Sequence, residues 1–151
     1  MALQVELLEA SFARIKERQT DFTDCFYAIL FKDYPDVKPL FAHVSMDDQS
    51  KKLFDSLALV VRGLRNPEAL MEPLKGLGTR HVQYGAVPAH YPAVGATLLQ
   101  AFANILQEDW TSEVEWAWAN AYSIIAEIML EGSEYPPELL QPKALVERAS
   151  L

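Results

Sequence analysis

A histidine in line with leucines is the residue of this 151-residue chain whose type and place together suggest chemistry. Leu70, Leu74, Leu77 and His81 stand at i, i+4, i+7 and i+11, which puts them on one stripe of a helix. An imidazole on an apolar stripe faces an interior where a polar ring needs a partner: a backbone carbonyl, a carboxylate or a metal. No Cys, Asp or second His stands near His81 at ligand spacing, which argues against an ordinary zinc site. Two readings stay open. His81 is a single imidazole ligand to a metal already held in a macrocycle, or it is a hydrogen-bonded core histidine.

Two other polar side chains interrupt apolar faces. Gln49 heads the stripe Leu53, Leu57 and Val60, and Tyr27 shares a face with Leu30 and Phe31. Each has a plain explanation. A first-turn glutamine near solvent helps to cap its helix, and a buried tyrosine hydroxyl commonly finds a carbonyl. Cys25 lies among apolar helix residues and reads as a buried, inert thiol.

The elements that position these residues follow from punctuation and periodicity. Val5, Leu8, Phe12 and Ile15 mark one face of a first helix. Thr20 and Asp21 are placed to cap a second, over about 22–32, which Tyr34-Pro35 ends. A short turn from Asp36 leads to Phe41, and a joint over 42–47 offers Ser45 or Asp47 as cap for a helix over 48–62. Asn66-Pro67 restarts helix, Pro73 should kink or break it, and it must end by Gly85. Pro88 opens the next helix, whose buried face is Leu98, Leu99, Phe102, Ile105 and Leu106. Ser112 and Glu115 form a capping-box pair for a last helix ending near Gly132. Trp116, Ala117, Ala121, Ile124, Ile125 and Ile128 supply its apolar side. Pro136, Pro137 and Pro142 mark a tail that is irregular up to a short helix near Ala144. There is no alternating strand pattern and no repeat. An all-α domain of six to eight helices over residues 1–132 is expected, with a C-terminal tail over 133–151.

Composition agrees with one globular domain: 50% of residues are hydrophobic and 23% charged. Aromatic residues at 11% suit a pocket that encloses something large and flat. A net charge of -8 argues against a nucleic-acid or anionic-membrane surface. The one cysteine excludes an intramolecular disulfide and fits a reducing cytoplasm. Glu6 and Glu9 interrupt any apolar N-terminal run, so no secretory signal is expected. No segment approaches the roughly 20 apolar residues of a membrane span.

The run from His81 through QYG and VPAHYPAVG resembles the proximal segment of flavohaemoglobins and single-domain bacterial haemoglobins, a branch of the globin family. Neuroglobin is similar more loosely. FYAILFKDYPDVKPLF and DQSKKLF resemble the two runs that build the distal side in the same branch, and the likeness extends from about Leu7 to Leu130. It implies a globin fold around haem b with His81 as the proximal iron ligand. Tyr27 and Gln49 become the distal polar pair that acts on bound gas. Phe41, as the haem wedge, and Leu53, as the roof, would touch the cofactor with Leu57, Leu77, Tyr91 and Val94. Lys52 and Arg80 are candidates for the haem propionates, although an ordinary solvated face accounts for them equally well.

The likeness has two departures. The joint after Phe41 is short for a flavohaemoglobin. Ser133 stands where that family has a glutamate that polarises the proximal histidine, with Glu131 and Glu134 nearby, so a weaker push of electron density onto iron is expected. The chain also ends where flavohaemoglobins continue into FAD- and NADH-binding domains, and it has no GxGxxG loop. The function implied is tight O2 binding with slow release, and nitric oxide dioxygenation with an external reductase. The alternatives are an O2 store or sensor, a sixth position closed by His43, and a haem-free interaction module. The expected partners are O2, NO, CO and the reductase, with no nucleic acid and no membrane; the chain is expected to be a monomer or weak dimer.

Overall fold

The computed structural model describes residues 4–83 and 86–133. Among them lie six α-helices and three short 3-10 segments, with no strand. The helices are α1 (Val5–Lys16), α2 (Gln19–Asp33), α3 (Met46–Gly63), α4 (Met71–Gln83), α5 (His90–Leu106) and α6 (Ser112–Ser133). The expected all-α architecture is the one observed. The tail, with its proposed turn of helix near Ala144, lies outside the described residues.

Burial of one stripe per helix drives the assembly. Leu8, Phe12 and Ile15 of α1 are buried, as the periodicity predicts. The main pairings are α2 with α5 and α4 with α6, while α1 touches α2, α3, α5 and α6. At the centre Phe22 of α2 stacks on Phe102 of α5 at 5.0 Å, and Phe102 lies 4.4 Å from the ring of Trp118 on α6. The Trp118 indole N–H donates to Ser11 Oγ at 2.8 Å, so α6 is tied to α1 and the one buried indole polar atom is satisfied.

Three expectations about helix ends are corrected. Thr20 and Asp21 lie inside α2, which starts at Gln19; the Asp21 carboxylate accepts from the Arg18 guanidinium rather than capping the helix. The last helix is capped by Thr111, whose Oγ1 accepts from the Val114 N–H at 3.2 Å, so Ser112 is its first helical residue. Asn66-Pro67 opens a 3-10 turn, Pro67–Leu70, and α4 starts anew at Met71. Pro73 then falls in the first turn of α4, where its missing N–H has no intrahelical partner to lose, and no kink is needed. The cap assignment has a direct test. Thr111→Ala should lower stability by about 1 kcal/mol in a urea titration, and Ser112→Ala should change it by only a few tenths.

Trp116 is the fourth correction. Expected on the apolar side of α6, it is 46% exposed, whereas Trp118 is 2% exposed. The buried repeat is Val114, Ala117, Trp118 and Ala121, and Trp116 lies on the opposite flank.

Candidate functional site

The stripe that carries His81 runs out of the core. Leu70 and Leu74 are buried, while Leu77 and His81 are half-buried. His81 Nδ1 lies 2.8 Å from the Leu77 carbonyl oxygen. A carbonyl only accepts, so Nδ1 carries the hydrogen and the neutral ring keeps its lone pair on Nε2. Burial pushes the His81 pKa below its ordinary value; the Leu77 bond opposes this, and the Arg80 charge adds to the lowering. The neutral, orientationally fixed imidazole is the form that binds a metal.

The position of α4 is set by backbone contact with α6. A Cβ on Gly78 would run into the Met129 carbonyl, and one on Gly132 into the backbone of Lys75. Thr79 Oγ1 donates to the Gly132 carbonyl at 2.9 Å, and Lys75 Nζ lies 3.5 Å from a Glu131 carboxylate oxygen. On the other side α5 brings the Tyr91 ring to 6.5 Å from the His81 ring, centroid to centroid. Val94, one turn on, is half-buried. Ser133 donates its hydroxyl to the Met129 carbonyl at 2.7 Å within its own helix. Glu131 is drawn to Lys75, and Glu134 is outside the described residues.

Tyr27 sits among aromatic rings of its own helix and of the 3-10 segment that follows it. It is buried, with Phe26 at 4.9 Å, Phe31 at 5.8 Å and Phe41 at 5.8 Å between centroids. Burial raises the phenol's pKa, and the Gln49 side chain interacts with the phenol and works the other way. Tyr27 therefore stays protonated at neutral pH and has an O–H to donate. Ser45, as one of the two expected caps, accepts from the Asp48 N–H at 3.3 Å. Ser45 thus caps the helix, and Gln49 in its first turn is half-buried. Leu53 follows half-buried, and Leu57 and Val60 buried, on the same stripe. Lys52, Arg80 and His43 are exposed, Lys52 and Arg80 as a solvated face and His43 in the turn after Phe41.

The two groups of residues have different main supports. The helix bearing Gln49, α3, packs on α1 and α2, whereas α4 packs on α6; the 3-10 turn Pro67–Leu70, which touches both α3 and α4, joins them. Half-buried apolar side chains (Phe41, Leu53, Leu77 and Val94) belong to both sides. Among the described residues no group of three His, Cys, Asp or Glu could hold a metal ion. A metal that brings its remaining ligands with it fits this donor set. A flat apolar macrocycle with its own nitrogens suits the donor set, the half-buried apolar residues and the separation of α3 from α4.

An all-α fold that holds a half-buried, oriented imidazole beside apolar side chains suits a helical haem-binding protein. The chain belongs to the globin family, whose family model matches residues 24–129. It is 34% identical to a flavohemoprotein of Pseudomonas aeruginosa over 112 residues, which is 72% of this chain and 28% of that protein. The chain thus spans less than a third of the length of that relative. Among solved structures, a bacterial globin from Campylobacter jejuni superposes with a TM-score of 0.77 at 29% identity, over 87% of this chain and 94% of that one. An engineered carbene transferase from Rhodothermus marinus, whose parent carries a provisional assignment as a nitric oxide dioxygenase, gives a TM-score of 0.78 at 25% identity, over 88% and 94%. The resemblance drawn from the proximal and distal motifs agrees with these relatives, and the family implies haem binding. No described helix is long and apolar enough to cross a membrane.

Sequence reasoning missed two sets of residues. Gly78 and Gly132 place α4, and the run Gly76-Leu77-Gly78 inside a helical pattern was the available signal, since helix-interior glycine marks a close approach. Tyr122 of α6 donates its hydroxyl to the Tyr91 carbonyl at 2.7 Å. Its position among alternating apolar residues gave no sign of that.

Proposed function

We propose that this chain is a haem b globin that holds O2 tightly and serves as a nitric oxide dioxygenase when an electron donor outside residues 1–151 reduces it. The observation that carries the reading is the buried Tyr27 phenol with the Gln49 side chain beside it. Haem would supply the redox-active iron that O2 and NO chemistry requires. The chain supplies the surroundings. His81 would hold the iron through Nε2, since Nδ1 is engaged by the Leu77 carbonyl and burial favours the neutral ring. Phe41, Leu53, Leu57, Leu77, Tyr91 and Val94 enclose the cofactor and exclude water. Tyr27 and Gln49 donate hydrogen bonds to the gas, each contributing about 1–2 kcal/mol in a dry pocket. Such bonds retain O2 and disfavour release, which suits reaction with NO better than bulk transport. The unit that does this runs from α1 through the end of α6. Its setting is the cytoplasm.

Tyr27→Phe removes the hydroxyl at nearly constant shape, and Gln49→Leu removes the amide at similar size. Each should speed O2 dissociation by roughly tenfold. CO attracts hydrogen bonds less and should respond little, which separates a lost bond from a pocket that has opened. The effects should not add fully in the double variant, because both donors serve one acceptor. Stopped-flow measurement of both gases decides the pair: equal, modest changes for O2 and CO in both variants would sink it. Mixing the O2-loaded protein with NO and a reductase, then counting turnovers, decides the activity. One turnover only would leave an O2 store. Purified protein with no Soret band would remove the haem reading altogether.

A further inference from the structure

We propose that a cavity under the 3-10 turn Pro67–Leu70 is a binding site for a small, uncharged apolar molecule of about single-ring size, and that its occupancy is relayed along α4 to His81. The cavity has a volume of about 180 Å³ and lies between that turn and the start of α4 on one side and α6 on the other. Leu64, Leu70 and Leu74 form one wall, and Ala121, Ile124 and Ile125 the other. Every side chain around it is apolar, so a charged or strongly hydrogen-bonding guest would give up its water for nothing in return. Two neighbouring cations are engaged outside it: Arg65 donates to the Glu9 carboxylate at 2.7 Å, and Lys75 lies by Glu131.

Size narrows the guest further. Apolar cavities of roughly 150 Å³ stay dry and take up benzene. A diatomic gas would fill only a small part of this one, and a long acyl chain exceeds it. A one-ring or short branched hydrocarbon skeleton fits. The wall residues carry the consequence for the rest of the molecule. Leu70 and Leu74 are the first two leucines of the stripe that continues through Leu77 to His81. The close contact of α4 with α6 lies beyond the cavity, where Gly78 meets the Met129 carbonyl and Gly132 the backbone of Lys75. A guest beside Leu74 therefore acts on α4 about one turn from a fixed point, and His81 lies on the far side of that point.

The test is an NMR titration of the full chain with benzene, and with benzoate as the charged control of the same ring. Methyl signals of Leu74, Ile124 and Ile125 report the site, and the His81 ring nitrogens report the relay. Ala121→Leu fills the cavity from its buried wall. Ile125→Phe fills it from the half-buried side and serves if Ala121→Leu does not fold. Benzene should shift the three methyl groups saturably and move the His81 signals in proportion, while benzoate leaves both in place. Filling should weaken benzene binding roughly tenfold or more, the effect of losing about 60 Å² of apolar burial, and should remove the His81 response at the same benzene concentration. Both readouts are equally available in the haem-free chain, so a protein without haem would sink the proposed function and leave this test standing. No saturable binding, shifts centred on Tyr27, Phe41 or Leu53 instead, or an affinity unchanged by filling would overturn the site. Saturable binding at the three methyl groups with the His81 signals unmoved would overturn the relay.

Discussion

His81→Ala should purify without stoichiometric haem, or with haem whose reduced spectrum shows a different axial ligand. The expectation comes from the donor inventory rather than from kinship alone. Among the described residues nothing else near α4 forms a metal-binding group, and His81 is the half-buried imidazole whose hydrogen bond to Leu77 fixes its tautomer. Under the proposed ligation, removal of the imidazole would leave apolar contact to retain the macrocycle. The measurement is the Soret absorbance per chain, followed by the reduced, ligand-free spectrum. Addition of free imidazole should restore part of the binding, because the space left by the side chain is that of the ring. An alanine variant with full haem content and an unaltered reduced spectrum would falsify the assignment of His81.

Two glycines a turn or less apart on α4 should respond to alanine with opposite signs. At Gly78 the added Cβ meets the Met129 carbonyl and Cα, backbone atoms that cannot swing aside. Either α4 or α6 must shift, at a cost of about 1–3 kcal/mol. At Gly76 the nearest atom is the tip of Arg80 at 3.6 Å, an ordinary contact. Alanine there removes the entropic penalty of helix-interior glycine and should stabilise by about 0.5–1 kcal/mol. Chemical denaturation of both variants measures the difference directly. Gly78→Ala should also weaken haem retention, since it moves the helix that carries His81. Equal midpoints for the two variants would mean that the α4–α6 contact has slack.

The helices and most of the candidate site were legible in the sequence because they depend on local period and punctuation. Leu70, Leu74 and His81 declared a stripe, and the structure grades it from core to half-buried edge. Ser45 was one of two possible caps, and the Asp48 N–H selects it. What failed were choices among chemically equivalent neighbours. Thr111 and Ser112 both make good caps, and one residue of register decides between them. Trp116 and Trp118 are equally apolar; the indole N–H of Trp118 had a partner waiting in Ser11 on a helix a hundred residues away. Nothing local to α6 records that. The Tyr122 bond and the Gly78 contact were hidden for the same reason: each is a property of two helices, visible only once they cross. The proposed distal pair stood between these cases. Tyr27 and Gln49 were identifiable as misfits on apolar faces, and their approach to one another needed the fold.

The supports of α3 and α4 bear on how strongly the two sides of the interior are coupled. α3 is seated mainly on α1 and α2 and α4 mainly on α6, but the 3-10 turn Pro67–Leu70 touches both, and the Leu70 side chain lies against Gly63 at the end of α3. A substitution that resettles one side is transmitted to the other through that turn, so variants that tolerate a change on both sides should carry a compensating change around Leu70.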